Sequence, residues 1–194
     1  MNARLFALLL PLLGAVAIAG LAGCQQQRSN CEESAPVVDT DVMAYLSKAR
    51  ALHHEANVEE AAGNVPGAIA SLETLTKSPA PRPGAKIPEV EEVLADAYAR
   101  LADLRLQRDD LDGAAKDVDA GLEHAGAPTY FRGHLLEVQG IIEEARAARF
   151  ADAGRPDEAA RARQKAVEVL RQAVDVQDQV IQRTLAAHDG GARP

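Results

Sequence analysis

The feature that most restricts the fold of this 194-residue chain is a helix-breaking turn that occurs three times. The copies read Gly-Asn-Val-Pro-Gly-Ala at 63–68, Asp-Asp-Leu-Asp-Gly-Ala at 109–114 and Gly-Arg-Pro-Asp-Glu-Ala at 154–159. Their closing alanines are 46 and 45 residues apart, and another alanine lies twelve residues before each one. Small residues at matched positions on both sides of a turn allow two antiparallel helices to approach closely, so the pattern predicts stacked helix pairs.

Apolar spacing divides the chain into six predicted helices and gives no strand. A composition rich in Ala and Leu, with 3% aromatic residues, also favours helices over sheets. Thr40 or Asp41 is expected to cap the first helix, and Asp109-Asp110 to cap the fourth. Four of the expected helices are 41–62, 89–108, 129–153 and 156–188. The second is expected to begin at 66 and to stop at 78–79, and the fourth to begin at 111 and to stop at 126–128.

Each predicted helix has a stripe of apolar residues that is expected to face the core. In the first helix the spacing places Tyr45, Ala49, Leu52 and Ala56 on one face. In the long last helix the expected core stripe consists of Val167, Leu170, Val174, Ile181 and Leu185.

The turns resemble those of the tetratricopeptide repeat, which read Gly-Asp-aromatic-x-x-Ala after a small residue twelve places earlier. Gly63 and Gly154 match the turn glycine, Asp109 replaces it in the middle copy, and Tyr98 matches an aromatic site in the first helix of a repeat. No aromatic residue stands in the three turns, and the family period is shorter, at about 34 residues. The resemblance implies an all-α fold of antiparallel helix pairs stacked as a short solenoid. A plain helical bundle is the alternative.

The first 24 residues have the pattern of an export signal. A short start containing Arg4 precedes an uncharged apolar run over 5–22, and the segment ends in Leu21-Ala22-Gly23-Cys24. This ending resembles the bacterial lipobox, in which cleavage before the cysteine accompanies attachment of lipid to its sulfur. The resemblance implies a signal peptide over 1–23, a lipidated Cys24 and a flexible polar tether over 24–40. An ordinary cleaved signal and an uncleaved membrane helix are the alternatives.

The residues around the cysteine refine this expectation. In lipoproteins an Asp after the cysteine tends to retain the protein at the inner membrane, and this chain has Gln25 there. The resemblance therefore implies the outer membrane, with the domain facing the periplasm, rather than the inner membrane. Cys31 has no partner within the chain if Cys24 carries lipid. The remainder is expected to form a helical-repeat domain over 41–188 and a disordered tail over 189–194.

The charge and the polar residues argue against several classes of function. The 29 acidic and 21 basic residues give a net charge of −8, whereas nucleic-acid binding needs a basic surface. The five histidines show no metal-ligand spacing, and adjacent acids on a helix point about 100° apart, which makes no catalytic pair. We therefore expect no enzyme activity, no metal and no cofactor.

Together these features predict a membrane-anchored lipoprotein that acts as a protein–protein interaction or assembly scaffold in the bacterial cell envelope. Its expected partners are an envelope protein or peptide, and the membrane through the lipid at Cys24. The alternative is a structural bundle or coiled-coil adaptor that dimerises through the long last helix. In tetratricopeptide proteins the first helix of each pair supplies the binding residues, which the resemblance places here at Arg50, His53, Asn57, Asp96, Asp103 and Glu144.

Overall fold

A computed structural model describes residues 39–191, with side chains up to residue 188, and this part of the chain is all-α. The predicted signal peptide, Cys24, the tether up to residue 38 and residues 192–194 lie outside the described residues. None of the described helices has the length and apolar character needed to cross a membrane. The helices are α1 (Thr40–Ala61), α2 (Val65–Thr76), α3 (Pro88–Gln107), α4 (Leu111–His124), α5 (Tyr130–Asp152) and α6 (Pro156–Gly191).

Side-chain caps determine where several helices begin. The cap of α1 is Asp39, one residue before the predicted positions, and its Oδ1 accepts hydrogen bonds from the backbone N–H of Asp41 (3.2 Å) and Val42 (3.1 Å). Asp110 caps α4 as predicted, accepting from the N–H of Gly113 at 2.9 Å. At the other end of the domain, α6 continues to Gly191, three residues beyond its predicted end.

The three repeated turns share one backbone geometry. In each, one residue has a positive φ, and the next backbone N–H donates to the carbonyl five residues earlier, as in a Schellman motif. The residues with positive φ are Gly63 (+77°), Asp109 (+62°) and Gly154 (+70°). The hydrogen bonds join Asn64 N to Glu59 O (2.8 Å), Asp110 N to Arg105 O (2.9 Å) and Arg155 N to Phe150 O (2.8 Å).

The small residues matched by the repeat are buried, as the sequence predicts. Ala56 packs in one cluster with Ala68 of the same helix pair and with Leu101 and Leu104 of α3. The equivalent alanine of the next pair, Ala102, packs with residues of α4 and α5. The six matched alanines, none more than 1% exposed, are Ala56, Ala68, Ala102, Ala114, Ala147 and Ala159.

Helix contacts follow a regular order along the chain. Each odd-numbered helix packs against the even-numbered helix that follows it, α2 packs on α3, and α4 packs on α5. The odd helices also contact one another, α1 with α3 and α3 with α5. Within residues 39–191 the backbones of α2, α4 and α6 do not come into contact with each other. The odd helices therefore form a continuous row of contacts, and the even helices are spread apart behind it.

The sequence prediction for the core stripe of α6 was wrong. Its buried face consists of Ala159, Ala162, Ala166, Val169, Ala173 and Val176. Leu170 is half-buried, and the other members of the predicted stripe, Val167, Val174, Ile181 and Leu185, are exposed. The reason is the close approach of α6 to α5, where a Cβ on Gly140 would lie 3.5 Å from the backbone oxygen of Ala166 and 2.6 Å from Leu170 Cγ. Such an approach leaves room mainly for alanine and valine on the facing side.

Candidate partner-binding face

Among the described helices α3 has the largest number of neighbouring helices, and a polar strip along it is left partly uncovered. This helix contacts α1, α2, α4 and α5, and most of its apolar residues are buried. Asp96, Arg100 and Asp103 are half-buried and Gln107 is exposed, at spacings of four, three and four residues. This spacing places all four side chains on one face of the helix, between α1 and α5.

On the α1 side, the strip forms a set of polar contacts between helices. His53 Nε2 lies 3.8 Å from Asp96 Oδ2. The Arg100 guanidinium donates to Asn57 Oδ1 at 3.2 Å and also pairs with Glu60. These contacts hold α1 and α3 in register over about two helical turns.

On the α5 side, a second histidine meets the strip. His134 Nε2 lies 3.8 Å from Asp103 Oδ2, which repeats the histidine–aspartate contact of the α1 side. His134 Nδ1 is buried and has no hydrogen-bond partner among the described residues. Other exposed residues of α5 lie on both sides of His134: Tyr130 one turn before it, and Glu137, Ile141 and Glu144 after it.

We call the surface formed by these residues of the odd helices the inner face. It comprises Arg50, His53, Asn57 and Glu60 of α1, Asp96, Arg100, Asp103 and Gln107 of α3, and Tyr130, His134, Glu137, Ile141 and Glu144 of α5.

The inner face contains all six residues predicted to bind a partner, but only some of them meet. His53 contacts Asp96, and Asn57 is joined to the same helix through Arg100. Asp103 instead contacts His134. The predicted Arg50 and Glu144 are exposed and stand apart from this hydrogen-bonded set.

The sequence interpretation missed Arg100, Glu60 and His134. Arg100 lies four residues after Asp96 and three before Asp103, so helical spacing alone places it on the same face. Glu60 likewise follows Asn57 by three residues. His134 shows no metal-ligand spacing in the sequence, and only its approach to Asp103 across two helices reveals its contact.

The environment of the inner face shifts two pKa values. Burial lowers the pKa of His53, and the nearby Arg100 lowers it further, while Asp96 opposes both effects. Burial raises the pKa of Asp103 against the opposing effects of His134 and Arg100, and Glu137 and Glu60 add to the rise. The low pKa of His53 favours a neutral imidazole near pH 7, which can both donate and accept a hydrogen bond.

A small cleft of about 130 Å³ lies where the beginning of α3 meets the α4–α5 connection. His124 Nδ1 lies 3.1 Å from Glu91 Oε2 at its edge, and the His124 ring stacks on Tyr98 with centroids 5.7 Å apart. The remaining lining is mostly apolar and includes Ala95 and Phe131. Because its histidine and carboxylate satisfy each other, this cleft is best explained as part of the packing between α3, α4 and α5.

The described side chains do not assemble a metal site. Among residues 39–188 there is no group of three or more His, Cys, Asp or Glu side chains that could hold an ion. The sequence matches no protein-family model and no curated protein. Inference about function therefore starts from the geometry and charge of the inner face.

Proposed function

We propose that this protein is a lipid-anchored interaction scaffold of the bacterial cell envelope, with a tetratricopeptide-like stack that holds an extended segment of a partner on its inner face. The observation that carries the proposal is the order of helix contacts. The odd helices pack side by side in one row, and the even helices are spread apart behind them. A row packed in this way curves toward the odd helices and presents their uncovered side chains along one continuous surface.

The repeated local structure supports a tetratricopeptide-like stack over a plain bundle. Three helix pairs share the same turn geometry, with positive φ at Gly63, Asp109 and Gly154. Each pair buries small residues at matched positions, and each of the first two pairs contacts the next one through both of its helices. In a plain four-helix bundle, by contrast, the helices surround one common core.

The charges of the inner face indicate the chemistry of the partner. On the α1 side, Glu60 and Asn57 already occupy the Arg100 guanidinium. On the α5 side, Glu137 and Glu144 are exposed and flank the exposed Ile141. An extended segment with basic residues next to an apolar side chain complements this half of the face. Recognition would come from burial of the apolar side chain and pairing of charges, without bond chemistry.

The anchor is proposed from the sequence. The apolar run over 5–22 and the Leu21-Ala22-Gly23-Cys24 ending support lipidation of Cys24. Acyl chains gain about 0.8 kcal/mol for each buried methylene, and two or more chains give stable anchoring. The residues between Cys24 and the cap of α1 would then separate the domain from the membrane, and Gln25 supports the periplasmic side of the outer membrane.

The inner face can be tested by site-specific photo-crosslinking in intact bacteria. A photoreactive residue at Arg50, Glu137 or Glu144 should crosslink to one partner, which mass spectrometry identifies. The same residue at Lys116 or Asp119, two exposed positions of α4, is the matched control and should not. The double charge reversal Glu137→Lys and Glu144→Lys should weaken binding of the identified segment about tenfold or more. Crosslinking from α4 alone would contradict the proposal.

The anchor requires a separate test, because a soluble protein could still use the inner face. Metabolic labelling with a fatty-acid analogue should label the wild-type chain, and Cys24→Ser should abolish the label and release the protein from the membrane fraction. Cys31→Ser is the control and should keep both properties. Labelling that persists in Cys24→Ser would refute lipidation at this position and leave the interaction face untouched.

A further inference from the structure

An apolar stripe on α6 faces solvent. Eight large apolar side chains are exposed in the described part of the chain, and four of them lie on this one helix: Val167, Val174, Ile181 and Leu185. They follow one another at seven, seven and four residues, which is the spacing of a seam between two packed helices. Isolated apolar residues on a surface are ordinary, but several of them aligned along one helix indicate an interaction surface.

The stripe is not explained by packing within the domain. Within residues 39–191 the backbone of α6 packs only against α5, and Leu122 of α4 also reaches the buried side of the helix. The buried alanines and valines occupy a different side of α6, about a third of a turn from the stripe. At 36 residues, α6 is also much longer than the 23-residue α5 that supports it.

The charges within the stripe are self-complementary in one orientation only. Arg171 and Asp178 interrupt the apolar residues on either side of Val174, at nearly equal distances along the helix. If a second α6 runs antiparallel and crosses at Val174, each Arg171 faces the Asp178 of the other copy. In a parallel pair, Arg171 would face Arg171 and Asp178 would face Asp178, which places like charges together in the seam.

We propose that the occupant of this surface is a second copy of the chain, packed antiparallel through α6 around a two-fold axis near Val174. Val174 then meets its own equivalent, and Val167 meets Ile181 of the other copy on both sides of the axis. A two-fold interface of this kind closes on itself and stops at the dimer. The proposal concerns a surface separate from the inner face and does not depend on the proposed function.

The first test is sedimentation of the full chain in density-matched detergent micelles. The wild type should be a dimer that dissociates on dilution, and Val174→Asp should be a monomer at the same concentrations. Val58→Asp is the matched control, because Val58 is exposed to the same degree on α1 (57%, against 59% for Val174) and should leave the dimer unchanged. Circular dichroism checks that all three proteins are folded. A monomeric wild type, or a dimer insensitive to Val174→Asp, would overturn the proposal.

The second test separates the antiparallel arrangement from a parallel one. Arg171→Asp and Asp178→Arg should each weaken the dimer about tenfold, because each creates two like-charge pairs, and combining them should restore the wild-type dissociation constant. In a parallel dimer the double variant would exchange one set of like-charge contacts for another and would not restore binding. In a Cys31→Ser background, Val174→Cys should form a disulfide between copies. Failure of both the charge restoration and this crosslink would refute the proposed geometry.

Discussion

The helices α3 and α6 have opposite surroundings. In the described part of the chain α3 contacts four other helices, so Leu94, Leu101 and Leu104 are buried, and the strip of α3 between α1 and α5 is polar. In contrast, α6 contacts only α5 among the described helix backbones, and Val167, Val174 and Ile181 face solvent while four alanines with Val169 and Val176 form its buried face. The difference shows that apolar side chains of the same kinds are buried in one helix and exposed in the other, depending on the number of neighbouring helices. In the middle of the stack large apolar residues hold the domain together, and at its end they remain available to another molecule.

The largest expected effect tests this contrast directly. Leu104→Ala, at a fully buried position of α3, should lower the free energy of unfolding by about 2–5 kcal/mol, because it leaves a cavity between helices. Val174→Ala, at a position of α6 that is 59% exposed, should change it by less than about 0.5 kcal/mol in a sample dilute enough to be monomeric. Urea unfolding followed by circular dichroism measures both values. If the two variants lost similar free energies of unfolding, the contrast between a buried α3 and an exposed side of α6 would be wrong.

A second prediction compares two glycines at helix contacts. An alanine Cβ at Gly121 would lie 2.6 Å from Leu135 Cδ2 and 3.0 Å from Tyr98 Cβ, in the packed middle of the stack. At Gly133, facing α6, the obstacle is the mobile amide end of Gln177. Alanine gains about 1 kcal/mol in helix propensity at either site.

We therefore expect a net loss of about 1 kcal/mol for Gly121→Ala and no loss for Gly133→Ala. Thermal unfolding of the two variants side by side provides the measurement. A stabilised Gly121→Ala protein would mean that the interface of α4 with α3 and α5 is as adaptable as that between α5 and α6.

A third prediction concerns the turns next to the two helices. Gly154, before α6, and Asp109, after α3, both have a left-handed backbone, which an L-residue adopts at a cost of about 1–2 kcal/mol. Gly154→Ala should therefore destabilise the domain by about 1 kcal/mol. Asp109→Gly should be close to neutral, because glycine relieves the backbone strain. This gain offsets two losses: the 2.6 Å contact between Asp109 Oδ1 and Arg149, and the entropy that the more flexible glycine loses on folding. Chemical denaturation can resolve this difference.

The smallest expected effect is the pH dependence contributed by His53. Its pKa is lower in the folded domain than in the unfolded chain, so the unfolded chain takes up the proton first as the pH falls. The stability linked to His53 is therefore complete above about pH 6.5 and is lost as the pH falls below that value.

His53→Gln should accordingly reduce the fall in Tm between about pH 7 and pH 5, although Asp96 opposes part of the effect. His188→Gln, at an exposed position near the end of α6, is the second histidine variant with which the change is compared. Equal slopes for the wild type and His53→Gln would show that His53 does not contribute to the acid sensitivity.

Local features of the fold could be predicted from the sequence, and features that depend on packing partners could not. The positions of the turns and the cap at Asp110 follow from neighbouring residues, and the sequence placed them correctly. The prediction of the buried face of α6 was wrong, because the spacing of residues identifies an apolar stripe but does not show whether a neighbouring helix covers it. On α5, Gly140 permits a close approach of α6, which buries a face made of four alanines, Val169 and Val176 and leaves the predicted stripe largely exposed.

The candidate site divides in the same way. Helical spacing and the family resemblance placed Asp96 and Asp103 on one strip of α3, and the same spacing would have added Arg100. The contact between Asp103 and His134 depends on how α5 lies against α3, which no pattern within one helix encodes.

The order of helix contacts along the chain also affects how the domain folds and how it unfolds locally. Since each helix packs on helices next to it or one further along in sequence, a hairpin can close as soon as both of its helices are free to fold, before the later helices are in place. Amide hydrogens of α6 should exchange with solvent ahead of those of α3, because the last helix can detach without disturbing the pairs before it. A chain assembled this way can gain or lose a hairpin at its end without rethreading the remainder.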